Sequence, residues 1–145
     1  MRCRGIRGAT TVETNSREAI LAATSELLDR LVAANDIATD DIASAIFTTT
    51  ADLNAEFPAV AARERGWEDV ALMCGHEMNV PGSLRLCLRV LLHVNTERSA
   101  GELVHVYLNG ARALRPDKQI PAEVPLSRSG EGPGERSEDR QEKQP

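Results

Sequence analysis

The run Leu86-Cys87-Leu88-Arg89-Val90-Leu91-Leu92-His93-Val94 constrains this chain more than any other stretch. A strand turns alternate residues to opposite faces, so Leu86, Leu88, Val90 and Leu92 fill one face while Cys87, Leu91 and His93 share the other with Arg89. Apolar residues on both sides predict a central strand. The clearest helix covers about 16–34, where Ile20, Leu21, Thr24, Leu27, Leu28, Leu31 and Val32 recur at steps of three and four behind an Asn15…Glu18 capping box. Its single apolar stripe is most economically laid on a sheet.

Other elements fill in the sheet. Residues 3–12 end in β-branched side chains and carry two glycines, which suits a strand passing close to another backbone. Residues 42–50 read as a strand, 52–58 as a turn, and 59–65 as a short helix that Pro58 opens and Gly66 closes. A third strand spans 69–74 and leads into a polar loop over 75–82. Residues 103–108 and 111–116 flank Asn109-Gly110, a type I′ signal that predicts a hairpin. The sum is an α+β chain with about five strands in a mixed sheet, one long helix and one short one.

Composition narrows the function. The 145 residues carry a formal net charge of −5 and only four aromatic rings, Phe47, Phe57, Trp67 and Tyr107. Neither a cationic field for a nucleic-acid backbone or an anionic membrane nor a base-stacking platform can be built from these. No run of apolar residues is long enough to span a bilayer. Three cysteines without a C-x-x-C pair, and an N-terminus without an apolar signal segment, point to a reducing, cytoplasmic setting. Residues 127–145 are charged and apolar-poor, and predict a disordered tail after a body of 1–126.

Within that body twelve of thirteen basic residues are arginine, the side chain suited to forked contacts with carboxylate or phosphate. Arg89 is the most informative, since a guanidinium on a largely apolar strand must reach an edge, pair with a carboxylate such as Glu77, or meet an anionic ligand. Arg7 in a glycine-flanked strand, Arg63 on the short helix and Arg115 before a proline raise the same alternatives. Together they outnumber the evident buried carboxylates, which makes a small polyanion a reasonable counter-charge. Tyr107 could add a hydroxyl donor. His76, His93 and His105 do not fall at metal-ligand spacing with Cys74 or Cys87, so no metal site is expected. Cys74 has no base paired with it at motif level.

Several blocks then fall in register. Arg4–Val12, Ala51–Ala59, Ala61–Trp67, Cys74–Met78, Leu84–Val90 and His105–Asp117 together resemble the trimeric, AroH-type class of chorismate mutase. The resemblance implies a homotrimer with a pseudo-α/β-barrel core, active sites between subunits, and conversion of chorismate to prephenate without a cofactor on the way to phenylalanine and tyrosine. It also implies roles. Arg7 would hold a substrate carboxylate with help from Tyr107, Arg89 would face the ether oxygen of the breaking bond, and Glu77 would accept from the ring hydroxyl beside Cys74. Phe57 and Ala59 would shape the wall, Leu114 would line the pocket, and Arg63 and Arg115 would close its mouth. Val60 departs from a lysine common in the family, and the stretch from Arg63 to Cys74 is one residue short.

Two other readings use the same residues: a trimer that binds a dicarboxylate without turning it over, and a structural trimer whose arginines pair internally. The first predicts no loss of chorismate. The second predicts no thermal protection by a dicarboxylate ligand.

Overall fold

The computed structural model describes residues 1–115. Five strands, β1 (Arg2–Thr11), β2 (Ile42–Thr49), β3 (Ala71–His76), β4 (Cys87–Thr96) and β5 (Val106–Tyr107), form one sheet in the order β3-β2-β4-β1-β5. The sheet is mixed: β4 runs antiparallel to both β1 and β2, whereas β2–β3 and β1–β5 are parallel. The apolar run thus occupies the central strand. Helix α1 (Arg17–Asn35) covers one face and the short α2 (Ala59–Glu64) follows the loop after β2.

Local chemistry explains the helix ends. The cap falls on Ser16 and not on Asn15, with the Ser16 Oγ accepting from the Ala19 N–H at 3.1 Å. Asn15 is used elsewhere, its Oδ1 accepting from the N–H groups of Asn54 and Ala55 at 3.0 Å each. At the other end Asp36 adopts left-handed geometry (φ 53°), which stops the helix. Ile20, Leu27, Leu28 and Leu31 are fully buried against the sheet, each worth roughly 1.5–3 kcal/mol relative to exposure.

The register shows how that packing is done. Val106, Gly8, Val90, Phe47 and Cys74 form one row across all five strands on the helix side. Gly8 makes room for the helix there, because a Cβ would lie 2.7 Å from Leu31 Cδ1 and the leucine would have to shift. Its close approach is therefore to α1 side chains and not, as the glycines suggest in isolation, to another backbone.

Two further expectations need correction. Asn109-Gly110 does not turn a hairpin: β5 is two residues long and pairs parallel with β1, and Asn109–Leu114 form a 3-10 helix. The reason is tertiary, since Asn109 Nδ2 donates to Thr10 Oγ1 at 3.1 Å and the Gly110 N–H to Thr11 Oγ1 at 3.0 Å, tying the segment to β1. The third strand runs later than expected, to His76, so it takes in the first two residues of the expected loop. The central place expected of β4 holds, and its second face is only half covered within one chain: Leu91 and Arg89 are half-buried, and Met73 on the edge strand β3 is 66% exposed. The tail predicted over 127–145 lies outside the described residues.

Candidate active site

The partly covered face collects most of the predicted polar residues. Tyr107, Ala9, Arg89, Thr48 and Gly75 form a second row across all five strands, on the side away from α1. The neighbouring row on the same face is Arg7, Leu91, Ile46 and Met73. Arg7 and Arg89 are thus diagonal neighbours on adjacent strands, within reach of one small ligand. Ladder geometry alone places them there.

Around them the site is held by hydrogen bonds. Glu77 follows β3, and its backbone N–H donates to the Thr49 carbonyl at 2.9 Å. Its Oε2 accepts from Thr48 Oγ1 at 2.5 Å and lies 3.6 Å from Arg89 Nε. The Nε itself is buried and has no hydrogen-bond partner among the described residues. Tyr107 is buried with Ala9 and Ala111, and Leu114 packs against that cluster. The Arg7 side chain is exposed, while its backbone N–H donates to His105 Nδ1 at 3.0 Å. Arg115, half-buried, ends the described residues.

Four predicted residues lie elsewhere. Phe57, Ala59, Arg63 and Cys74 gather around α2 and the edge strand β3, with Cys74 in the helix-side row. Burial pushes the Cys74 thiol pKa up, against smaller opposing effects of the Ala59 backbone and the Arg63 charge. Phe57 is 65% exposed at the corner before α2. Glu56 fixes that corner: Oε2 accepts from the Phe57 N–H at 2.9 Å and Oε1 from Arg17 Nε at 2.8 Å. The Phe57 N–H, more than Arg17, holds the Glu56 carboxyl below its usual range. Two hollows at the far end of β1 and β4, around Asn35, Glu97 and Arg98, contain none of the predicted site residues.

Thr48 and Glu56 hold residues of the candidate site by hydrogen bonds and were not singled out from the sequence, where Asn15 read only as a helix cap. Thr48 carried a usable signal, the period-two alternation of β2, but its partner across the ladder could not be read without the register. Among the described residues no group of His, Cys, Asp and Glu could hold a metal ion, and no helix is long and apolar enough to cross a membrane.

This arrangement, paired guanidiniums on an open sheet face, can be compared with known proteins. A profile for the family "Chorismate mutase type I" matches residues 3–118. The chain belongs to that family. The AroH chorismate mutase of Bacillus subtilis (strain 168) is 42% identical over 121 residues, covering 83% of this chain and 95% of the relative. The AroH chorismate mutase of Thermus thermophilus is 49% identical over 115 residues, covering 79% and 94%. A solved chorismate mutase from Clostridium thermocellum superposes with a TM-score of 0.74 at 52% identity, covering 75% of this chain and 97% of that one. The activity that goes with the family, chorismate mutase, makes this chain an isomerase.

Proposed function

We propose that the site at which chorismate rearranges to prephenate is completed between subunits of a homotrimer. Arg7, Arg89, Glu77 and Tyr107 of one copy face Phe57, Ala59, Arg63 and Cys74 of a neighbouring copy, with Leu114 and Arg115 at the rim. One observation carries this reading: the two arginines share a sheet face that the chain leaves only partly covered, while Cys74 lies in the helix-side row and Phe57, Ala59 and Arg63 lie around α2. Their placement on different sides of the sheet supports a ligand held across a subunit boundary. The half-covered Leu91 and Ile46 and the exposed Met73 support burial of this face by another copy.

Chorismate is a dicarboxylate and its [3,3] rearrangement is unimolecular. Nothing needs to be oxidised, reduced or transferred to the protein, so no cofactor is called for. The site acts by selecting the compact diaxial conformer and by placing positive charge where the ether oxygen gains electron density. Arg7, helped by Tyr107, anchors a carboxylate. Arg89 Nε–H, already desolvated and without a hydrogen-bond partner among the described residues, donates to the departing ether oxygen. Glu77 accepts from the ring hydroxyl next to Cys74, and Arg63 and Arg115 draw the anion to the mouth. A reducing, cytoplasmic compartment fits the three free cysteines.

The test is loss of chorismate followed in the purified protein. Arg89→Gln should lower kcat about a hundredfold or more, the size associated with one oriented donor to a developing oxyanion, whereas Arg63→Ala should cost far less. Equal losses would remove Arg89 from the reacting centre.

A further inference from the structure

We infer that the Thr48 hydroxyl is a positioning group for this reaction, holding the Glu77 carboxylate back from Arg89 so that the Arg89 Nε–H remains available to substrate. The inference rests on the roles proposed above for Arg89 and Glu77.

Thr48 stands directly opposite Arg89 in the β2–β4 ladder, on the face away from α1. Its Oγ1 donates to Glu77 Oε2 at 2.5 Å, and that same oxygen is 3.6 Å from Arg89 Nε. A guanidinium and a carboxylate free to approach each other close to about 2.7–2.9 Å. Here the donor is buried and unmet, a costly state that an unrestrained Glu77 would relieve by moving less than one ångström or so. Closure would spend the cation on its own neighbour. Two bonds from β2 prevent it. The Thr49 carbonyl fixes the Glu77 backbone at 2.9 Å, and the Thr48 hydroxyl fixes the end of the side chain. Both anchors come from a strand paired on either side, so neither drifts with the loop that carries Glu77. The other carboxylate oxygen is left to accept from a substrate hydroxyl.

The role needs a donor hydroxyl and not the shape of threonine. Thr48→Val keeps the shape and removes the donor, so kcat should fall about tenfold while KM changes less than about twofold, the loss expected for one hydrogen bond to a charged group. Thr48→Ser should recover most of that kcat. In a Glu77→Gln background, Thr48→Val should add nothing, because the carboxylate it restrains is gone. Should Thr48→Val fail to fold, Thr48→Cys takes its place, since a thiol donates poorly. The inference is overturned if Thr48→Val keeps kcat, if Thr48→Ser is as slow as Thr48→Val, or if the double variant loses activity additively. If Glu77→Gln itself retains full kcat, the proposed role of Glu77 falls and this inference falls with it. If Glu77→Gln is slow while Thr48→Val is not, only the inference fails.

Discussion

Asp52 shows how much one side chain can organise. Both carboxylate oxygens accept from the Leu86 N–H at 3.1 Å, Oδ1 accepts from Thr50 Oγ1 at 2.5 Å, and Arg85 lies 3.7 Å away. Leu86 sits at φ 50°, a strained position for a leucine at the entry to β4, so these bonds clamp the approach to the strand that carries Arg89. The Thr50 hydroxyl chiefly, with Leu86 and Arg85, holds the Asp52 carboxyl below its usual range. A depressed carboxyl contributes stability that is fully present above the ordinary aspartate value and fades as acid is added through the lower, folded-state value. Asp52→Ala should therefore cost about 1–2 kcal/mol near neutrality, and the gap from the parent should shrink in acid; urea melts at several pH values check both. Cys74 shifts the other way. Its thiol stays protonated across neutral pH, so iodoacetamide should label it slowly there and faster only above the ordinary thiol range.

Secondary-structure elements were the more legible part of the sequence, and the reasons differ between them. Helix α1 was readable because its stripe and its cap are local; only the choice of Ser16 over Asn15 depended on a distant segment, the backbone at Asn54 and Ala55. Ser16→Ala should cost about 1 kcal/mol in chemical denaturation. Strand β4 was readable from composition. The end of the described chain was not, because Asn109-Gly110 satisfies a hairpin turn locally and is captured instead by Thr10 and Thr11 of β1. For the site, Arg7 and Arg89 stood out as charges on strands, but that they share a face follows only from pairing over some eighty positions. Thr48 and Glu56 looked like any other polar residues. Gly8→Ala is the sharpest test of the element packing, since its methyl meets two leucines of α1, and a loss of about 1–3 kcal/mol is expected from overpacking.

At the scale of the whole molecule, the site proposed above divides into two groups of residues carried on different parts of the chain, which makes assembly itself testable. The protein should sediment at three times the 15.7 kDa of one chain. Arg89→Gln and Arg63→Ala subunits, unfolded and refolded together, should be more active than the average of their separate activities, because some mixed clefts receive both native halves. A monomer in analytical ultracentrifugation, or mixtures no better than the average of their parents, would rule out shared sites. The five-strand row through Tyr107, Arg89 and Thr48 also limits which changes in chain length this molecule can absorb. Adding a single amino acid inside β4 would swing the guanidinium toward the leucines of α1 and send Val90 out in its stead. Length variation between descendants of this chain is thus confined to its loops, and the register of one strand works as a reading frame for the chemistry.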